Sequence, residues 1–270
     1  MSPAVSFTIE AAQYALLIGG LMLLWRLGLS QRARQTPAAL VPWEISLSDF
    51  MLFLLLVICG GLIGLFAAGL WFKHDPVTAD HQIIIGTAAF QLCMLAGVLV
   101  FKLSFSWRGA STPQSSAAVN PLLAGAATFL IASSVTQIVG WLWGALLYLC
   151  HIPAPKQDAI DLLLRSHDSL AISGLLVAAI IIAPVTEELI FRAGIFRYMR
   201  TRLPRWAALL IPALLFGALH SNLASFVPLV AFGVVFSLAY ERTGRIGTTM
   251  VAHALFNLTT ALIALTGVDT

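Results

Sequence analysis

Two adjacent carboxylates, Glu187 and Glu188, are followed four residues later by Arg192, at the end of the apolar segment Leu170 to Val185. Residues four apart share a helix face, so we expect Arg192 to pair with Glu188, leaving Glu187 free to point into a cavity. Ionised groups are costly inside a bilayer, which makes these residues candidates for proton-transfer chemistry. The opposing interpretation is one buried ion cluster that locks helices together.

Two histidines and an asparagine lie in the same half of the chain. His220 ends an apolar run with the sequence Phe216-Gly-Ala-Leu-His220, and His253 precedes Asn257 by four residues. His253 and Asn257 therefore share a helix face. Each residue alone could cap a helix or bridge two membrane helices. Two histidines, an asparagine and a spare glutamate together indicate a functional site.

The elements that must position these residues are membrane helices. The 270 residues are 59% hydrophobic and 10% charged, whereas soluble domains carry about 25% charged residues. Apolar runs predict an all-α, polytopic membrane bundle of about eight transmembrane helices. The candidate spans are approximately 11–30, 49–72, 82–101, 121–149, 170–196, 206–221, 223–240 and 247–265. Basic segments interleaved with aromatic residues are absent, so nucleic acid is not an expected partner.

The basic residues predict the orientation of the spans. Twelve of the fifteen fall in odd-numbered loops, namely Arg26, Arg32, Arg34, Lys102, Arg108, Arg192, Arg197, Arg200, Arg202, Arg205, Arg242 and Arg245. Because basic loops stay in the cytoplasm, both termini should lie outside. A polar cytoplasmic loop is expected over Ser104 to Asn120, and an amphipathic outer-surface helix over Lys156 to Ser169.

The basic residues also give a depth for each candidate side chain. At 1.5 Å per residue, Glu187 lies about 15 Å from Arg197, and His253 lies about 12 Å from Arg245. On the same rise, Asn257 lies about 18 Å from Arg245. These values cluster near the middle of a bilayer core about 30 Å thick. His220, about 22 Å from Arg205, fits this depth least well.

The three motifs resemble those of the CPBP family, the CAAX-protease and bacteriocin-processing intramembrane endopeptidases. Glu187-Glu188-Leu-Ile-Phe-Arg192 is similar to the family's EExxxR motif, Phe216-Gly-Ala-Leu-His220 to FxxxH, and His253-Ala-Leu-Phe-Asn257 to HxxxN. They occur in order and without substitution. The resemblance divides the chain into residues 1–155, with helices 1–4, and residues 156–270, a catalytic core of helices 5–8.

The resemblance implies an intramembrane endopeptidase that hydrolyses membrane-associated peptide or protein substrates. It assigns water activation to Glu187 and His220, and oxyanion stabilisation to His253 and Asn257. Glu188 and Arg192 are implied to be the supporting ion pair. Peptide hydrolysis requires an activated water and donors for the oxyanion, which these residue types supply.

No cofactor is expected, with a divalent metal such as zinc as the open alternative. A glutamate and two histidines could be zinc ligands, but the sequence has no H-E-x-x-H helix. The expected partners are the lipid bilayer and a substrate within it, in a multi-pass protein of the bacterial cell (inner) membrane. Two other functions stay open: a non-catalytic immunity or scaffold protein that retains the fold, and a proton- or cation-coupled carrier.

Overall fold

The computed structural model describes residues 3–75, 77–105, 119–153, 158–166 and 168–266, and all regular secondary structure in these ranges is helical. Seven helices are long and apolar enough to cross a membrane, which confirms a polytopic all-α bundle. The sixth predicted span is the shorter apolar helix Arg205–Leu219, with 15 residues. It is about 22 Å long and therefore falls short of a hydrocarbon core about 30 Å thick.

The helices of the described ranges are numbered in chain order. They are α1 Pro3–Leu24, α2 Gln31–Gln35, α3 Leu47–His74, α4 Ala79–Ser104, α5 Pro121–Leu149, α6 Asp158–Arg165, α7 Ser169–Arg200, α8 Arg205–Leu219, α9 Leu223–Thr243 and α10 Ile246–Thr266. The predicted amphipathic helix is present as α6. Residues 106–118 of the predicted polar loop, with Arg108, and Lys156 lie outside the described residues. The orientation across the membrane stays a prediction from charge.

Polar side chains fix where several helices begin. The capping residues, each accepting a hydrogen bond from a backbone N–H of the first turn, are Ser46, Thr78, Asn120, Asp168 and Asn222. The first N–H groups of a helix have no partner within it, and a bilayer core offers no water to replace one. The capping residues therefore mark the points at which spans meet polar surroundings.

Small residues allow α3 and α4 to pack at close range. Gly64 of α3 lies against the backbone carbonyl of Ala89, and Gly97 of α4 lies against that of Leu56. A Cβ at either glycine would collide with the opposing backbone. Close approach of small residues is a common basis of helix association in membranes, where there is no hydrophobic drive between helices. The α3–α4 pair then packs against α7, α4 through its helix face and α3 through Phe50, which stacks on Tyr198.

An aromatic cluster fills the interior between the helices that carry the motifs. Its buried ring-bearing members are Trp43, Phe50, Phe53, Phe101, Phe191, Tyr198, Phe216, Phe232 and Phe236. Phe191 comes from α7, Phe216 from α8, and Phe232 and Phe236 from α9. These rings pack the second half of the chain against α3 and α4. The amino-terminal helices therefore also border the site.

Charged residues close one end of the bundle, the end predicted to be cytoplasmic. Glu241, at the end of α9, forms ion pairs with Arg200 at 2.6 Å and with Arg205 at 2.8 Å. The Arg197 side chain donates to the Val41 carbonyl at 2.8 Å, and Arg202 lies 4.0 Å above the Tyr198 ring. These contacts tie the segment before α3 to the ends of α7 and α9.

Candidate active site

The helix that carries the two carboxylates, α7, is interrupted on both sides of Glu187. It contains π-helical turns at Ala178–Ile182 and at Glu188–Phe196. Pro184 has no N–H, so the regular α-helical ladder cannot continue through it. The first π turn accommodates this, with the Ala183 N–H bonding the Ala178 carbonyl. Such turns are frequent at functional sites, and here they set the direction of the carboxylates.

The pairing of Glu188 with Arg192 expected from their spacing is present. Arg192 Nη1 lies 2.9 Å from Glu188 Oε1, and both side chains are fully buried. Three phenyl rings surround the guanidinium, whose Cζ lies 4.7 Å from the Phe216 centroid, 5.3 Å from Phe236 and 5.8 Å from Phe232. The rings attract the cation through their π faces. The aromatic cage therefore stabilises the buried charge, and no spacing within a single helix predicted it.

His253 lies between the two carboxylates. Its Nδ1 is 3.0 Å from Glu188 Oε1, and its Nε2 is 3.8 Å from Glu187 Oε2. The imidazole is 5% exposed and the Glu187 side chain 14%, so these groups meet in an environment that excludes most water. A carboxylate accepts hydrogen bonds, which indicates that Nδ1 carries hydrogen. Glu188 therefore orients His253, and Nε2 faces Glu187.

Glu187 has a partner that sequence reasoning missed. Gln91 of α4 donates from Nε2 to Glu187 Oε1 at 2.9 Å. The expectation that Glu187 points freely into a cavity is therefore wrong for one of its two oxygens. The signal was available, since an amide inside an apolar span is expensive and usually functional or paired. The sequence did not show which helix the Gln91 side chain would contact.

Asn257 lies on the same face of α10 as His253, as predicted, and this face packs on α7. Its Nδ2 donates to the Ala179 carbonyl at 2.7 Å. The side chain therefore contacts the first π turn rather than Glu187 directly. Two of the four predicted catalytic residues, Glu187 and His253, face each other across 3.8 Å, and Asn257 lies one helical turn from His253.

His220 is set apart from the other candidates. It follows the last residue of α8 and is exposed; its Nδ1 lies 2.8 Å from the Phe216 carbonyl, and its ring lies 4.8 Å from the Phe216 ring. In the described part of the chain, no hydrogen bond or ion pair joins it to Glu187 or His253. The Phe216 ring also lies 6.1 Å from His253. Both distances are measured from the Phe216 ring centroid. The distance between the His220 and His253 ring centroids therefore cannot exceed these two distances added together.

A strained turn holds His220 at this position. Ser221 has φ of 50°, in the left-handed region that residues other than glycine rarely adopt. Asn222 then begins α9 as its capping residue, and Trp143 of α5 donates to the Leu223 carbonyl at 2.8 Å. The turn is thus fixed on both sides, and it sets the position of the imidazole relative to the aromatic cage.

A metal would need a different donor arrangement. Within the described residues, no group of three or more His, Cys, Asp or Glu side chains has an arrangement that could hold a metal ion. Glu188 Oε1 is already engaged by Arg192 and His253. His220 is not brought to the carboxylates. The donors of this site therefore do not fit the zinc ligand set considered from the sequence.

A family model matches the region of the chain that carries the motifs. Residues 169–259, about a third of the chain, match the family model described as type II CAAX prenyl endopeptidase Rce1-like. "Putative membrane peptidase YdiL" of Bacillus subtilis is 32% identical over 87 residues, which is 32% of this chain and 36% of that protein. The UPF0177 protein YbdI of Lactococcus lactis is 29% identical over 83 residues, 30% of this chain and 44% of that protein.

The family-model match covers the helices that carry the motifs. The chain spans 36% and 44% of the lengths of the two relatives, less than half of each, and no solved structure matches the chain. The matched region runs from the start of α7 into α10 and contains the seven residues named by the three motifs. Residues 169–259 are therefore similar to the type II CAAX prenyl endopeptidase Rce1-like family, which confirms the family resemblance drawn from the motifs.

Proposed function

We propose that this chain is an intramembrane endopeptidase, which hydrolyses peptide bonds of membrane-associated peptide or protein substrates. The observation that carries the proposal is the juxtaposition of Glu187 Oε2 and His253 Nε2 at 3.8 Å, largely buried in an apolar bundle. A separation above 3.5 Å is too long for a direct hydrogen bond and suits groups that act through a shared third atom. The family match and the name of the B. subtilis relative support the same activity.

Glu187 is the general base of the proposed reaction. It removes a proton from a water molecule as the water oxygen attacks the carbonyl carbon of the scissile bond. The tetrahedral intermediate collapses when the C–N bond breaks. Glu187 returns the proton to the leaving nitrogen, so the products are a carboxylic acid and an amine. No step passes through a metal.

His253 and Asn257 are the proposed oxyanion donors. Glu188 accepts a hydrogen bond from His253 Nδ1, which directs Nε2 towards the reaction centre; donation from Nε2 to the oxyanion requires a hydrogen on both ring nitrogens, that is, the imidazolium form. Asn257 uses one amide hydrogen on the Ala179 carbonyl, and its second hydrogen stays available for the substrate oxygen. Fixed donors in a water-poor site stabilise developing charge more strongly than donors in bulk water. Arg192 supports this arrangement through its ion pair with Glu188, because it holds the same carboxylate oxygen that accepts from His253.

His220 is proposed to assist water activation, as the family resemblance implies. Its Nδ1 must donate to the Phe216 carbonyl, because a carbonyl only accepts. Nε2 of the neutral ring is therefore the basic nitrogen and is directed away from α8. The exposure of the ring is consistent with a position that substrate reaches first.

The membrane setting limits the substrate class. Seven spanning-length apolar helices among the described residues make this an integral, multi-pass membrane protein. Both relatives come from bacteria, which supports the bacterial cell (inner) membrane as its location. The substrate would then be a membrane-associated peptide or protein that enters from the bilayer.

The direct test compares new amino termini in membranes that contain wild-type protein or Glu187→Ala. We expect a set of termini that is present with the wild type and lost with Glu187→Ala, with a fall in cleavage of at least about 100-fold. The exposed Glu44 provides the matched control, and Glu44→Ala should retain the termini. Cleavage that survives Glu187→Ala would overturn the mechanism.

Two further measurements separate the alternatives. Chelation with EDTA, followed by metal quantification on the purified protein, should leave the cleavage rate unchanged; a loss restored by zinc would contradict a metal-independent reaction. A non-catalytic immunity or scaffold protein would retain its cellular phenotype as Glu187→Ala. Loss of both phenotype and new termini supports the endopeptidase.

A further inference from the structure

We infer that Gln91 is a positioning residue for Glu187, an inference that rests on the proposed endopeptidase function. Gln91 lies on α4, outside the three motifs and outside the region that matches the family model. Its Nε2 is 2.9 Å from Glu187 Oε1. The chain thus uses a residue of its first half to complete the catalytic group of its second half.

The direction of the Gln91 amide follows from the chemistry of its partner. An ionised carboxylate only accepts hydrogen bonds, so the NH₂ end of the amide must face Glu187. With Oε1 occupied by this bond, Oε2 is the oxygen that remains for proton transfer. Oε2 is also the oxygen that faces His253 Nε2. Gln91 therefore selects which carboxylate oxygen acts.

The backbone around Gln91 is rigid enough to hold this geometry. Gln91 is 8% exposed, and the neighbouring Thr186 is fully buried. Thr186 Oγ1 donates to the Ile182 carbonyl at 2.9 Å and lies 3.4 Å from the Gln91 carbonyl. The contact joins α4 to α7 one residue before the catalytic glutamate. A side chain fixed in this way positions its partner better than one on a loop.

The second end of the amide distinguishes positioning from simple helix bridging. Gln91 Oε1 is buried and has no hydrogen-bond partner among the described residues. A bridge with only a structural role would satisfy both ends, because an unpaired buried acceptor is expensive. The unpaired oxygen lies on the same amide that holds Glu187, and this associates Gln91 with the reaction centre rather than with packing alone.

Two substitutions test the inference with a synthetic peptide that spans the strongest Glu187-dependent cleavage site. Gln91→Met keeps the length of the side chain and removes both polar atoms. We expect kcat to fall about 10- to 100-fold, the size of a lost hydrogen bond to a charged group, with KM little changed. The melting temperature in detergent should stay close to wild type. Gln137→Met, at a half-buried glutamine of α5, is the matched control and should leave kcat unchanged.

The second substitution, Gln91→Glu, provides a readout that a structural role would not move. While protonated, the new carboxyl donates its O–H to Glu187 and replaces the lost amide. As pH rises this proton is lost, and two adjacent carboxylates repel each other. The other charged groups at the site, Glu188, Arg192 and His253, are the same in both proteins. We therefore expect the activity of Gln91→Glu to decline at a lower pH than that of the wild type.

The outcomes separate the inference from the proposed function. If Gln91→Met retains kcat within about twofold while Glu187→Ala is inactive, the inference is wrong and the endopeptidase stands. A wild-type pH profile for Gln91→Glu would also overturn it, as would a loss of kcat that merely follows a loss of thermal stability. If the wild type itself cleaves nothing in a Glu187-dependent way, the proposed function fails first.

Discussion

The side chain of Asn257 completes a hydrogen bond that the backbone around Ala179 cannot make for itself. Asn257 Nδ2 lies 2.7 Å from the Ala179 carbonyl oxygen. In a regular helix this oxygen would accept from Ala183, whose N–H instead bonds the Ala178 carbonyl. The next residue, Pro184, has no N–H. An amide from α10 thus replaces the donor that α7 lacks, and joins the third motif to the helix of the first.

Asn257→Ala should therefore destabilise the protein more in the wild-type background than in Pro184→Ala. An unpaired buried carbonyl costs about 1–3 kcal/mol, and restoring the N–H at residue 184 lets the helix satisfy it. Thermal or denaturant unfolding in detergent would measure this coupling as a double-mutant cycle. Equal losses in the two backgrounds would contradict the assigned hydrogen bond. Asn120→Ala, which removes an exposed helix cap, should be additive with Pro184→Ala.

Turnover provides a second readout of the same cycle. If Asn257 also donates to the oxyanion, the Pro184→Ala, Asn257→Ala protein should recover stability without recovering activity. Recovery of both would limit Asn257 to holding α10 against α7. The two roles therefore make different predictions for the same protein.

The Glu188–Arg192 pair should be far more sensitive to loss of one partner than to loss of both. Both side chains are fully buried, with Nη1 and Oε1 2.9 Å apart. Removing one partner leaves an uncompensated buried charge, which costs about 3–5 kcal/mol. Arg192→Met alone should unfold much of the protein, whereas Glu188→Gln combined with Arg192→Met should retain more folded material. The folded fraction by size-exclusion chromatography in detergent measures the difference.

Arg192→Lys should not substitute for arginine at this position. The guanidinium is planar and lies within 5.8 Å of three phenyl rings, an arrangement that an ammonium group cannot reproduce equally well. The exposed Arg165→Lys is the matched control and should be neutral. A fully folded Arg192→Lys protein with a wild-type melting temperature would show that charge alone suffices.

Ser221→Gly should stabilise the protein by relieving the strained turn after His220. A left-handed conformation costs roughly 1–2 kcal/mol at a residue with a Cβ, and glycine adopts it freely. The gain is reduced by the greater flexibility of glycine in the unfolded chain. Differential scanning of the melting temperature in detergent measures the net effect. Ser221→Ala keeps the Cβ and should give no gain; if it stabilises as much as glycine, the hydroxyl rather than the backbone would be responsible.

The sequence by itself determined the features that depend on composition and on spacing within one helix. Apolar runs specify the membrane bundle, because a bilayer accepts only segments that satisfy their own backbone. A spacing of four specifies the Glu188–Arg192 pair and the common face of His253 and Asn257. The order of the three motifs specifies the family resemblance. These are local properties, and one chain is enough to read them.

The tertiary structure decided every contact that joins two helices. The Gln91–Glu187 hydrogen bond, the aromatic cage of Arg192 and the Asn257–Ala179 bond depend on how far each helix is rotated and where it is set against its neighbour. Helix rotation follows from packing of small residues and from the π turns around Glu187, which no single-helix spacing encodes. For this reason the sequence predicted Glu187 as the proposed general base, and only the packed structure identified Gln91 as its hydrogen-bond partner.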